Sequence, residues 1–258
     1  MKKIAQLKTI ETFRQRLAEL GCELPADETI LRRDQGSPLA APLEVGRRTV
    51  GNRWCIHPME GWDANDDGSP SPHTLRRWRR FGESGAKWIW GGEAAAVQPE
   101  GRANPHQTLA TANNRVGLTR LLDELRTAHR ARYESDDDLY VGLQLTHSGR
   151  FSRPTAAGPQ PRIAYHHPVL DRRLGIAADD DAPVLSDEEI ARLIDAYVAA
   201  AVLAQGAGFD FVDVKSCHGY LMHEFLGAHT RPGPYGGDFD GRTRLLTTVI
   251  GRIRDACP

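Results

Sequence analysis

Residues 209–225 read "FDFVDVKSCHGYLMHEF". The first six residues are a short β-branched and aromatic run with two aspartates, the composition of a short strand. The strand then runs into Lys215, His218 and Tyr220 within six positions, with Gly219 between the last two. Two readings stand open. One is chemistry at the C-terminal end of a buried parallel strand. The other is a polar loop whose side chains satisfy one another.

The same alternation of strand and helix continues on both sides of this stretch. Upstream, "RWCIH" (53–57) is a short apolar run stopped by Pro58, and "HTLRRWRRFGESG" (73–85) reads as a helix with a glycine stop. "AKWIWGG" (86–92) reads as a second strand. "RVGLTRLLDELRTAHRARY" (115–133) is a helix with Leu118, Leu121, Leu122 and Leu125 on one face. "LYVGLQL" (139–145) reads as the third strand, followed by an irregular, proline-bearing excursion from Gly149 to about Pro183. Ser186 with Glu189 forms a capping box. The helix it opens turns Ile190, Leu193, Ile194, Tyr197, Val198 and Ala201 inward and ends at Gly206 and Gly208. After the fourth strand, Leu245, Leu246, Val249, Ile250 and Ile253 mark a last helix.

Four strand–helix units whose strands are apolar on both faces predict a parallel sheet covered by helices. A doubly wound sheet and a (β/α)₈ barrel both satisfy this, and both place function at strand C-terminal ends. No GxGxxG follows the first strand and no P-loop pattern occurs, which argues against a Rossmann dinucleotide site and a nucleotide-triphosphate site. Ahead of the units, Ile10, Phe13, Leu17 and Leu20 space a helix that Gly21 stops. A linker runs from about Pro25 to Gly51, so residues 1–42 are expected to be an extension and 43–258 the barrel-type domain.

Composition narrows the partners. The 258 residues carry a formal net charge of −1, with 26% charged and 40% hydrophobic residues, an ordinary balance that favours neither nucleic acid nor an anionic membrane. "RRWRRF" (76–81) is a local basic run, expected to be a solvated helix face. The four cysteines are scattered, without a CxxC, so neither a zinc site nor a disulfide framework is signalled and a cytoplasmic setting is expected. No signal peptide and no membrane span are expected. His218 and His223 lack the spacing of a metal-binding helix, so no metal is expected, and His223 is expected to pair with Glu224.

Each strand end then offers candidate groups. The first, "HPMEGWD", brings the backbone of Pro58 and Met59 and the carboxylates of Glu60 and Asp63 to one rim. The second offers Gly91, Gly92 and Ala94 to Ala96, residues small enough for close approach of a ligand, or for a tight turn. The third offers Gln144, an amide that both donates and accepts, then His147 and Arg150. The fourth offers Lys215, His218 and Tyr220, types that polarise an oxygen or give a proton.

Six stretches in order carry a resemblance. They are "NRWCIHPM", "EAAAVQPEGR", "QLTHSGR", "GAGFDFVDV", "HGYLMHEFLGAHTRPGPYGG" and "GRTRLL". Together they resemble the first half of the Old Yellow Enzyme family of NADH:flavin oxidoreductases. The resemblance implies a (β/α)₈ barrel truncated after about four β/α units, with FMN across the strand ends and NAD(P)H as reductant. It implies that Pro58, Met59 and Glu60 touch the flavin, that Ala94 presents backbone to it and that Gln144 binds its pyrimidine edge. It makes Tyr220 the proton donor to a small-molecule activated alkene, and His218 with Lys215 the pair that holds the substrate oxygen. Lys215 stands where the family prefers histidine, and Glu60 where it has threonine or cysteine. That exchange predicts a Lys215–Glu60 ion pair. A half-barrel also exposes apolar strand faces and an open edge. A homo-oligomer or a complementing C-terminal half is therefore an expected partner. A non-catalytic fragment, and a barrel hydrolase or lyase using Lys215, are the alternative readings.

Overall fold

The structure, a computed structural model, describes residues 3–25 and 28–258. Residues 26 and 27 of the expected linker, and the first two of the expected extension, lie outside the described residues.

Four parallel strand positions stand in chain order. β3 (Cys55–Ile56) pairs with β4 (Trp88–Ile89), β4 with β6 (Tyr140–Thr146), and β6 with β7 (Phe211–Val214). Helices follow each: α2 (Pro72–Glu83), α3 (Arg115–Tyr133), α5 (Asp187–Ala207), then α6 (Leu221–Leu226) and α7 (Phe239–Ala256). This is the first half of a (β/α)₈ barrel. α3 begins and ends where the leucine spacing predicts, and all four leucines are buried. The Ser186 hydroxyl accepts the Glu189 amide and Glu189 answers through the Ser186 amide, closing the predicted capping box. α5 ends on Gly208, whose backbone is left-handed; Gly206 lies inside it.

The second strand differs from expectation. It is interrupted by Gly91 and Gly92, both at positive φ, and resumes as β5 (Ala94–Ala96), which also pairs with β6. Ile89 faces Val141 while Ala94 faces Gln144, so five steps on one strand cover three on its neighbour. This is a bulge, a device that re-aims side chains at strand ends.

The linker is also not wholly irregular, since β1 (Leu43–Val45) and β2 (Arg48–Val50) form an antiparallel hairpin. It sits at the N-terminal end of the strands. The Gly51 amide donates to the Asp138 carbonyl, and Arg48 meets the buried Asp210 carboxylate at 2.8 Å. α1 (Ile10–Leu20) buries no residue. The proline-bearing excursion contains a short helix, α4 (Pro168–Leu174).

"RRWRRF" is only half solvated. Trp78 is fully buried and Arg77 points inward, because the helical period places them on α2's sheet side, while Arg76, Arg79 and Arg80 stay exposed. Among the described residues, α5 is the one helix long and apolar enough for a membrane crossing by length and composition. Three acidic residues open it, and Ile190, Leu193 and Tyr197 of its inward face lie in the core. β7 departs from the two-sided burial read from its sequence. All four of its residues are half-buried, because nothing among the described residues pairs with its outer edge.

Candidate active site

β3, the bulged β4–β5 strand, β6 and β7 end together at one mouth. The Ala94 amide donates to the Met59 carbonyl at 3.0 Å, and the Ala94 carbonyl accepts the Gln107 side-chain amide at 2.9 Å. Both backbone groups of Ala94 are thus engaged within the protein. Pro58 is half-buried and Met59 is exposed on the rim.

The small residues of the second strand serve packing. A Cβ added to Gly91 would lie 2.9 Å from the Gln144 Cβ and 3.2 Å from that of Pro58; one added to Gly92 would lie 2.8 Å from the Trp78 indole. The close approach that these glycines permit is therefore between protein elements, and the tight-turn reading holds for both.

Gln144 is buried, and its amide nitrogen donates to the Asp213 carboxylate of β7 at 2.6 Å. No donor among the described residues reaches its amide oxygen. Asp213 was not singled out in the sequence. It lies opposite Gln144 in the parallel register, which is the signal that identifies it.

The Lys215–Glu60 pair forms. The ammonium lies 2.5 Å from Glu60 Oε1, with both side chains almost fully buried, at 6% and 9% exposure. Glu60 Oε2 accepts the Tyr220 hydroxyl at 2.9 Å and the Trp62 indole N–H at 3.3 Å. The Lys215 Nζ also stands 4.0 Å from the centre of the Tyr220 ring. Burial, then the Glu60 charge and hydrogen bond, push the Tyr220 hydroxyl well above the ordinary tyrosine range. His218 is exposed, with a left-handed backbone (φ 62°), and its ring meets Tyr220 edge-on at 6.4 Å. The geometry thus gathers Lys215, Glu60 and Tyr220 and leaves His218 on the turn beside them.

Other candidates prove structural. His147 is buried, and its Nδ1 accepts the Gly149 amide at 3.0 Å; burial pushes the ring down to about 3, so it is neutral. Arg150 donates to Glu224 at 2.7 Å and also holds Asp171. Glu224 therefore pairs with Arg150, not with His223, whose Nδ1 accepts the Gly219 amide at 2.9 Å. Beneath the rim, Arg77 bridges Asp63 at 2.8 Å and Glu93 at 2.7 Å. The cysteines are free, and no cluster of metal-ligating side chains occurs among the described residues.

A family model described as the NADH:flavin oxidoreductase / NADH oxidase family matches residues 38–257. The chain belongs to this family. Among this chain's curated relatives is an NADPH dehydrogenase of Halalkalibacterium halodurans, 31% identical over 212 residues, covering 80% of this chain and 56% of the relative. Another is an NADPH dehydrogenase of Bacillus subtilis, 26% identical and covering 84% and 60%. Among solved structures, an old yellow enzyme homologue from Zymomonas mobilis superposes with a TM-score of 0.68 at 26% identity, covering 84% of this chain and 60% of that one. The chain spans less than two thirds of the length of these relatives.

Proposed function

We propose that this chain is the flavin-facing half of an NADPH-dependent oxidoreductase that reduces an activated alkene. The observation that carries the reading is Tyr220. It is a phenol held protonated at the C-terminal mouth of four parallel strands, within a chain of the NADH:flavin oxidoreductase family. The NADPH dehydrogenase relatives support NADPH as the reductant. FMN, when bound, supplies the centre that accepts a hydride from the nicotinamide and returns one to the alkene.

The donor set fits part of a flavin. Gln144 offers an amide oxygen with no donor on it among the described residues, beside the backbone rim of Pro58 and Met59. Ala94, with both backbone groups engaged, shapes the floor of that rim. Tyr220 gives its hydroxyl proton to the alkene carbon that does not receive hydride. His218 is the exposed donor for the substrate's carbonyl oxygen.

The test is an absorbance spectrum of the purified chain with FMN, followed by reduction with NADPH and reoxidation by an activated alkene. Tyr220→Phe is expected to slow reoxidation by about 10²-fold or more while flavin reduction stays near native. Equal loss in both halves would refute the donor role.

A second reading is a subunit that works only with complementing strands, and the half-buried β7 edge favours it. FMN retention that appears only when those strands are supplied separates it from the first. The lysine-dependent lyase reading loses its footing, because a Schiff-base nucleophile must be a neutral amine and Lys215 is ion-paired with Glu60.

A further inference from the structure

We propose that Glu60 is the positioning residue of this site: its one carboxylate holds the Tyr220 phenol and the Lys215 ammonium together, so that the phenol keeps its proton and the lysine charge is spent within the protein. The inference rests on Tyr220 being the proton donor.

Three donors converge on that carboxylate. Lys215 takes Oε1, while Tyr220 and Trp62 share Oε2. A buried carboxylate that meets three donors has its hydrogen-bonding capacity well satisfied. Trp62 reaches back to it from a left-handed backbone (φ 49°), a conformation that a bulky residue rarely adopts. The chain therefore stores strain two positions from Glu60, at the point where that strain completes the cluster.

The arrangement is asymmetric in a way that fixes protonation. Glu60 faces the Tyr220 oxygen, where a phenolate would meet a second negative charge. Lys215 lies over the ring face, where it makes a cation–π contact without reaching the oxygen. Phe151 is the apolar neighbour, at 6.2 Å between ring centres, and His218 and Cys217 flank the ring on its own loop. Of these, only Lys215 opposes Glu60 with a fixed charge. Burial and the facing Glu60 carboxylate thus both act against ionisation of the Tyr220 hydroxyl. A substrate oxygen entering the mouth meets a net-neutral Lys215–Glu60 pair, with His218 as the accessible donor.

The test needs neither flavin nor substrate. Phenolate absorbance is titrated in the native chain, in Tyr220→Phe and in Glu60→Gln. The native-minus-Tyr220→Phe difference is expected to show no step near the ordinary tyrosine value of about 10. In Glu60→Gln the Tyr220 step is expected to fall by about one pH unit or more, into the observable range. A native Tyr220 step at the ordinary value, or a step that Glu60→Gln leaves unmoved, overturns the proposal. Should Glu60→Gln fail to fold, acylation of the native chain still decides. Lys215 is expected to acylate far more slowly than the exposed Lys8, and equal rates overturn the clamp. A Tyr220→Phe chain that still reduces alkenes at the native rate would instead sink the donor reading, and would leave this titration result standing.

Discussion

At the scale of single residues, the rim is held from beneath by charges that pair with one another. Glu93 is 1% exposed, and burial pushes its carboxyl up to about 7 against the pull of Arg77. A carboxyl raised above its unfolded value keeps its proton longer in the folded state. Its contribution is therefore present at low pH and lost as pH rises from about 4.5 to about 7. Arg77 limits that loss by pairing with Glu93 and Asp63. Arg77→Met is expected to cost about 3–5 kcal/mol at alkaline pH, where two carboxylates lose their partner, and clearly less near pH 5. Urea melts at both pH values check this, and a pH-independent cost would refute the argument. His147 has the opposite sign. Its ring is depressed to about 3, so the stability it contributes is complete above its unfolded value of 6.5 and is lost as pH falls towards 3. The difference corresponds to about 5 kcal/mol. His147→Asn keeps an acceptor for the Gly149 amide and removes the titration, so its stability curve is expected to be flatter between those values.

At the scale of elements, the bulge decides where the rim stands. Gly92 has positive φ, and the space beside it is filled by Trp78 of α2, which itself is fully buried. Gly92→Ala is expected to destabilise by about 1–3 kcal/mol through overpacking and the backbone penalty together. Adding Trp78→Phe vacates the contact, so the double variant is expected to lose less than the sum of the single losses. Strict additivity in denaturant melts would show that the two do not touch. The same segment marks the limit of what the sequence discloses. α3 was legible because four leucines, Leu118, Leu121, Leu122 and Leu125, repeat on one face over about two turns. What "WIWGGEAAA" did not disclose is that the strand resumes after its two glycines as β5 and pairs β6 again, since that pairing depends on the glycine torsions and on β6's register. The Lys215–Glu60 pair was legible, since a carboxylate beside a flavin requires a counter-charge and a lysine stood where a neutral donor was expected. The grip of Glu60 on Tyr220, and of Asp213 on Gln144, was not. Each depends on strand register, which brings together residues 160 and 69 positions apart.

At the scale of the whole molecule, the inner face of the half-barrel is an aromatic surface with one side open. Trp88 stacks on Trp90 at 5.1 Å, and Tyr140 stacks on Phe211 at 4.8 Å. Trp90 meets Phe211 edge-on at 5.4 Å and is still 37% exposed. These rings extend to β7, whose free edge presents backbone groups with no strand beside them among the described residues. In a closed barrel this layer would be covered by strands from the opposite side. Burying a large aromatic ring stabilises by roughly 1.5–3 kcal/mol, so supplying those strands gains both apolar burial and a paired edge. The chain alone is therefore expected to bind a hydrophobic dye, to associate as its concentration rises, and to hold FMN weakly. Co-expression with the C-terminal remainder of an NADPH dehydrogenase relative is expected to suppress the dye signal, shield Trp90 from a soluble quencher and increase the flavin retained on purification. A chain that alone is monomeric, silent to the dye and yellow after dialysis would show that the aromatic face is already covered. The open β7 edge would then have no bearing on flavin binding.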